Sequence, residues 1–326
     1  MSGVTHRVVA AGEADLRFDR WCKRHFPTLG HVQLQKLLRT GQFRLDGKRV
    51  EAGTRVQPGQ TIRVPPMELA AAAERRGPSE ADARFIKSLV IHDDDRLVVL
   101  AKPEGLAVQG GTKTTRHVDG MLDALARKGE RPKLVHRLDR DTSGLLVLAR
   151  DATVARELMH AFQQHRVRKL YWAIVQGSPD RNEGLIDLGL GKAGAKGFER
   201  MTPDALDARR AQTDFRVIAR TGKVAAWVGL MPRTGRTHQL RAHMAAIGTP
   251  IVGDRKYAPV AGREQPATAP EGLMLHAREI ELPRGKGPPL RLTAEAPRHF
   301  REGLAWLGLD AEALKFSRLQ DWPEEG

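Results

Sequence analysis

Apolar and polar positions recur with two different periods along the N-terminal part of the chain. In His31 to Thr40 (HVQLQKLLRT), Val32, Leu34, Leu37 and Leu38 fall on one side, Lys36 and Arg39 are exposed, and Gly41 follows. That spacing predicts a short helix with a glycine stop. From Phe43 to Val50 (FRLDGKRV) the period drops to two around Asp46-Gly47. The pair predicts a hairpin, because a tight turn between twisted strands needs residues that tolerate positive φ. The later stretch PGQTIRVPP reads as one more strand, ended by Pro65 and Pro66.

Residues 67–84 (MELAAAAERRGPSEADAR) are Ala-rich and charged, with almost no large apolar side chain, which predicts a linker. From Phe85 onward, the runs Leu97 to Ala101, Leu145 to Ala149 and Ala173 to Val175 read as buried strands. Asp151 can cap a helix that runs to about His165 and buries Val154, Leu158 and Phe162; a second helix is expected from Thr237 to Ile247, stopped at Gly248. Strands and helices do not alternate strictly, so the expected class is α+β with a mixed sheet. The expected organisation is a small basic module at 13–66, a linker at 67–84, a larger domain at 85–300 and a frayed tail at 301–326.

Charge narrows the partners. Lys and Arg number 54 against 39 Asp and Glu, a net +15 with His neutral. Residues 13–66 hold eleven of those cations and five of the acids. A polyanion is the expected partner. The sequence has no run of eighteen apolar residues and no basic amphipathic helix with exposed Trp or Phe, so nucleic acid is favoured over a membrane. Cys22 is the only cysteine, which excludes an internal disulfide or a thiolate metal cluster and fits a reducing compartment. The opening MSGVTHRVVAAGEAD lacks the pattern of a secretion signal, and a cytoplasmic location is expected.

Several familiar chemistries fail on local context. Gly189 to Gly194 matches GxGxxG, but AKGFERMTPDALDARRA follows, broken by Gly197 and Pro203, and offers no helix to face a pyrophosphate. No phosphate-binding GxxxxGK[ST] occurs. His238 and His243 lie five apart, where a zinc helix needs four and an adjacent Glu. Ser143 is not in a GxSxG elbow. No metal, cofactor or nucleotide is expected.

The stretch His136 to Gly144, HRLDRDTSG, sets two carboxylates among two arginines, which by itself could be a self-paired surface loop. It is accompanied by Lys102 to Val108 (KPEGLAV), Arg168 to Ala173 (RKLYWA) and Arg233 to Arg241 (RTGRTHQLR). Together HRLDxxTSG, KPxGLxV, the RKLYWA-like strand and TGRTHQLRxHM…GxPIxGDxxY, the last running from Thr234 to Tyr257, resemble the RluA/RluC/RluD-type pseudouridine synthases in order and spacing. The block at 13–66 is similar to the ribosomal-protein-type RNA-binding module that many of them carry. IRVPP before the linker and GLAVQGG after it look most like the C type.

The resemblance implies a mainly antiparallel sheet in the larger domain and an isomerase that acts on uridine in large-subunit ribosomal RNA, free or in a pre-ribosomal particle, as a monomer. The C1′–N1 bond breaks, the base turns, and C1′ joins C5, without redox chemistry or a donor group. The family role of the carboxylate falls on Asp139, with Asp141 structural. Arg241 is expected to keep Asp139 ionised, since burial favours the neutral acid and a neighbouring guanidinium reverses that. Tyr171, one of two tyrosines, is expected to stack on the base and move the C5 proton. The uridine must be flipped out of folded RNA, at roughly a few kcal/mol of unstacking. Arg137 is expected to fill the gap and Leu275 to pack beneath the base, with His238 and Arg236 also on the substrate. Lys36, Arg39, Lys48 and Arg49 are the expected RNA-facing cations of the module.

Three other readings compete. A noncatalytic RNA-binding or assembly factor would share the basic module, but not the need for Asp139, Tyr171 and Arg241 together. The same chemistry on tRNA is a second. Glycoside hydrolysis is a third, and two carboxylates two positions apart in one tight loop do not easily flank a sugar at roughly 5–9 Å.

Overall fold

The computed structural model describes residues 3–26, 29–66, 77–110, 114, 116–194, 200–203, 205–257, 269–285, 287–309 and 318–322. The chain divides into two units, Met1–Arg76 and Gly77–Gly326. That boundary falls within the stretch expected to be a linker, of which 67–76 lie outside the described residues.

The first unit contains β1 (Thr5–Val8), α1 (Phe18–His25), α2 (His31–Arg39), β2 (Arg44–Leu45), β3 (Lys48–Arg49) and β4 (Thr61–Val64). Its strands pair antiparallel in the order β1-β4-β2-β3. The expected hairpin turns at Asp46 and Gly47, whose φ values of 48° and 77° fit a turn with both central residues left-handed. Leu34 and Leu38 of α2 are buried, and the side chain of Val32 lies outside the described set. Phe18, Trp21, Phe43 and Ile62 are fully buried in this unit's own core.

In the second unit, α3 (Glu80–Ser88) precedes β5 (Val90–Asp93) and β6 (Leu97–Lys102), then α4 (Val118–Met121), β7 (Lys133–Leu134), β8 (Ser143–Ala149), α5 (Ala152–Gln163) and β9 (Arg168–Gln176). Next come β10 (Glu183–Asp187), β11 (Gly191–Ala193), β12 (Arg200–Thr202), β13 (Gln212–Thr221), β14 (Ala225–Pro232), α6 (Gln239–Ala246), β15 (Leu275–Leu282), β16 (Leu290–Thr293) and α7 (Arg298–Trp306). One sheet runs β10-β13-β14-β9-β15-β8-β6-β5, with β16 on β15 and β7 on β8. Every pair in it is antiparallel except β8 with β15, where Ser143 and Gly144 run parallel to His276 and Ala277. The expected α+β class with a mixed, mainly antiparallel sheet is what the chain adopts. All seven residues of β8 are buried, which is why that stretch reads as a continuous apolar run without alternation.

Several boundaries differ from expectation. α3 occupies the end of the stretch read as linker, because Ser79 accepts a hydrogen bond from the Asp82 N–H and caps it, and Ile86 is buried. α7 crosses the 300/301 boundary with Phe300 and Leu304 in the core. The segment 318–322, in the stretch read as a frayed tail, is pinned: Leu319 and Trp322 are buried, the Leu319 N–H donates to Glu279, and Arg216 donates to the Asp321 carbonyl. The GxGxxG stretch contains β11, paired with β12, and among the described residues no helix lies between β11 and β13.

Candidate active site

The Asp139 loop joins β7 to β8 and closes in a turn where the Thr142 N–H donates to the Asp139 carbonyl. Arg140 and Asp141 sit at the exposed corner of that turn, while Leu138 and Thr142 on either side are buried. Asp139 points instead into a cleft of about 650 Å³. The self-paired loop is not what forms. Arg140 donates to the Gly105 carbonyl at 3.0 Å, and Arg137 is exposed in the cleft wall with no hydrogen bond or ion pair among the described residues.

The KPEGLAV stretch holds this loop from behind. Lys102 is 1% exposed, and its ammonium donates at 2.9 Å to the carbonyls of Pro103, Leu106 and Arg140. Burial pushes its pKa down to about 8, against Asp141, Asp139 and Glu104, whose charges favour the ammonium. The residue after Asp139 is thereby tied to β6.

Asp139 is the only carboxylate lining the cleft among the described residues, facing Arg137, Lys169, Arg236 and Arg241. Its Oδ2 lies 3.8 Å from Arg241 Nη1 and 3.8 Å from His238 Nε2. Arg241 is 6% exposed on α6, and its Nε and Nη2 donate as a fork to the two oxygens of Asp254, each at 2.7 Å. Asp254 Oδ1 also accepts from the Lys256 and Tyr257 N–H groups. Burial works against the Arg241 charge, but the hydrogen bonds and charge of Asp254, with Asp139, outweigh it and raise its pKa. Burial likewise works against the Asp254 carboxylate, and the Arg241 contacts reverse it and hold its pKa below the ordinary value. A guanidinium that stays charged thus stands 3.8 Å from the Asp139 carboxyl group.

The turn before α6 is organised by Gln239, 4% exposed. Its amide oxygen accepts from Thr234 Oγ1 and the Arg236 N–H, and its amide nitrogen donates to the Gln212 carbonyl and Thr213 Oγ1. All of its hydrogen-bonding groups are engaged, which explains the order TGRTHQLR. α6 starts at Gln239, two residues later than expected, and His238 stands ahead of it with φ 51°. His238 thus stands outside the helix that carries Arg241, yet both side chains come within 3.8 Å of Asp139 Oδ2.

Tyr171 on β9 lines the cleft, in register with Leu230 of β14 and Ala277 of β15. Burial, and then the charge of Asp139, raise its pKa and keep it a phenol. Leu275, 3% exposed at the start of β15, and Arg236 complete the wall. The cleft thus collects Arg137, Asp139, Tyr171, Arg236, His238, Arg241 and Leu275. Lys36, Arg39, Lys48 and Arg49 belong to the other unit, all exposed. Sequence reasoning did not single out Lys102, Asp254 or Tyr257, although each stands in a quoted motif. No group of three or more His, Cys, Asp or Glu residues suited to a metal exists among the described residues.

A family model described as RNA pseudouridylate synthase matches residues 96–246, a span that includes Asp139, Tyr171 and Arg241. The chain is 32% identical over 295 residues to the ribosomal large subunit pseudouridine synthase C of Rickettsia typhi, covering 88% of this chain and 96% of that protein. It is 31% identical to the protein of the same name from Vibrio cholerae, over 82% and 85% of the two chains. Among solved structures, human RNA pseudouridylate synthase domain containing 4 superposes with a TM-score of 0.60 at 30% identity, covering 72% of this chain and 99% of that one.

Proposed function

The chain belongs to the RNA pseudouridylate synthase family, and from that premise we propose that it isomerises uridine to pseudouridine in large-subunit ribosomal RNA, with Asp139 as the working carboxylate. The observation that carries the assignment of Asp139 is its isolation: among the described residues it is the one carboxylate in a cleft whose other charged residues are the cations Arg137, Lys169, Arg236 and Arg241, the last a buried arginine held charged by a second carboxylate. Such a cleft suits a nucleotide, whose phosphates meet Arg137, Arg236 and Lys169 while the nucleoside meets Asp139.

The flipped uridine stacks on Tyr171 above Leu275, and Arg137, with no hydrogen bond or ion pair among the described residues, takes the place the base leaves in the RNA. Asp139 then acts on the nucleoside as the C1′–N1 bond breaks and C1′ joins C5. N1 gains a proton and C5 loses one, so the product is an isomer and no oxidant or group donor is needed. Tyr171, a phenol that feels the charge of Asp139, relays the C5 proton: its oxygen takes the proton from C5 as its own O–H proton passes on to Asp139. The substrate reading extends the names of the relatives, which are large-subunit enzymes. We also propose that the protein works as a monomer in the cytoplasm, on rRNA or a pre-ribosomal particle.

The test is a pseudouridine map of large-subunit rRNA from cells lacking the gene, complemented with wild type or Asp139→Asn. Particular sites should vanish and return only with wild type. Unchanged rRNA with altered tRNA would move the substrate, and no change in either would leave an RNA-binding assembly factor.

A further inference from the structure

His238 has two ring nitrogens that face different partners. Nε2 lies 3.8 Å from Asp139 Oδ2. Nδ1 lies 3.2 Å from the hydroxyl oxygen of Tyr257. That oxygen is already an acceptor, because the Met201 N–H donates to it at 2.9 Å. Tyr257 is 5% exposed, and among the described residues its hydroxyl proton has no acceptor other than His238 Nδ1. A proton on Nδ1 would aim two donors at one oxygen and leave the buried hydroxyl's proton with no acceptor among the described residues. With the lone pair on Nδ1, Tyr257 donates to it, and both that lone pair and the hydroxyl proton are satisfied.

Tyr257 is itself fixed. Its backbone N–H donates to Asp254 at 3.0 Å, and the Arg241 guanidinium lies 5.3 Å from the centre of its ring. Burial most strongly disfavours a charged His238; Asp139 and Asp254 favour the imidazolium, Arg241 and Lys256 oppose it, and the net effect lowers its pKa. A neutral ring has one proton, and the bond from Tyr257 decides where it sits.

We propose that Tyr257 is a positioning residue that holds His238 as the tautomer protonated on Nε2, so that a hydrogen-bond donor, not a lone pair, faces Asp139 and the reacting nucleoside. The 3.8 Å gap is too long for a direct bond to Asp139. The N–H is therefore open to an oxygen of the uridine, where it can offset negative charge that develops as the glycosidic bond breaks. The tautomer is independent of the isomerase reading; its use on the uridine rests on it.

The test uses the full chain with ¹⁵N-labelled histidine at neutral pH. The His238 spectrum should show Nδ1 unprotonated and Nε2 protonated. Tyr257→Phe keeps the ring beneath Arg241 and removes the hydroxyl, so the tautomers should mix and kcat should fall about tenfold, the scale of one net hydrogen bond, with KM little changed. His238→Gln, whose amide N–H reaches the region of Nε2, should retain more activity than His238→Asn, whose amide nitrogen stops short of it. A protonated Nδ1 in wild type, or a Tyr257→Phe protein with unchanged tautomer and kcat, would overturn the proposal. So would equal activity of the Gln and Asn variants. If wild type forms no pseudouridine on rRNA or tRNA, the isomerase reading fails while the spectrum still decides the tautomer.

Discussion

Arg241 serves two carboxylates with one guanidinium: Nε and Nη2 are spent on Asp254, and Nη1 faces Asp139. A lysine keeps the charge but has no planar fork, so it cannot hold Asp254 through two parallel bonds and face Asp139 in fixed geometry as well. Arg241→Lys should therefore lower kcat by on the order of 10², as expected for a catalytic group displaced by about 1 Å, with RNA affinity nearly unchanged. Wild-type turnover in that variant would remove Arg241 from the mechanism. Asp254→Asn attacks the other end of the pair. It leaves a buried guanidinium partly uncompensated and should destabilise the second unit by about 3–5 kcal/mol, read from urea unfolding. Asp139, Tyr171 and Arg241 come to notice in the sequence through motifs that resemble the pseudouridine synthases, and the structure brings all three to one cleft. Asp254 was in plain view within GDxxY, but nothing in a linear pattern says that a carboxylate thirteen positions beyond an arginine is buried against it.

At the scale of elements, the strongest constraint sits where the loop bearing Asp139 enters β8. Gly144 has φ 109°, and a Cβ there would lie 2.2 Å from the Ala277 carbonyl oxygen and 2.7 Å from its nitrogen, both backbone. Only glycine lets β8 approach β15 in the one parallel pairing of the sheet. Gly144→Ala should therefore unfold or strongly destabilise the second unit, by more than about 4 kcal/mol, the range reserved for backbone clash in a core. A far-UV melt that matched wild type would contradict this. Lys102→Met tests the other support of the same loop. It leaves three carbonyls without their donor, at roughly 1–3 kcal/mol for each that remains buried and unsatisfied, and should depress kcat even at temperatures where the variant is fully folded. The elements themselves were readable where burial is one-sided or a cap is chemical, as with the Asp46-Gly47 hairpin and the Asp151 cap, which accepts from the Thr153 and Val154 N–H groups. The start of α6 was not, because the Gln239 network and the left-handed His238 override the helical spacing of THQLR. Nor was the anchoring of Leu319 and Trp322, whose partners on β9, β13 and β15 lie far away in the chain.

The chain folds as two units, each with buried hydrophobic clusters of its own, and acid should distinguish them. His276 is 1% exposed and, chiefly through burial, pushed down to about 3, and His243 is fully buried and lowered for the same reason. Below the ordinary value of 6.5 the unfolded chain takes up protons that these rings refuse, so stability falls with pH by about 1.4 kcal/mol per unit for each such ring, down to its folded pKa. In the first unit, Glu13 is opposed by burial but held below its ordinary 4.5 by hydrogen bonds from Ala10, Trp21 and His25, so its contribution persists above pH 4.5 and is lost only as pH drops through the lowered value. Urea titrations between pH 7 and 4 should show the second unit weakening first, and His276→Gln should flatten that slope. The first unit also permits a test of its charge in the intact protein. Lys36, Arg39, Lys48 and Arg49 are exposed, and none has an acidic partner among the described residues. Arg49 lies across Gly41, just past the end of α2, with its Nε 3.0 Å from where a Cβ would stand, which brings this hairpin cation to the end of the helix that carries Lys36 and Arg39. Unpaired cations in one place are free to meet phosphates, and each contact releases counterions, adding about 0.7–0.9 to the slope of log K against log salt. Replacing all four with alanine should make the slope for rRNA binding shallower by about three, with the Asp139 site and its turnover at saturating RNA unchanged. An unaltered slope would mean that this face does not touch RNA, and that the affinity comes from the cations around the Asp139 cleft.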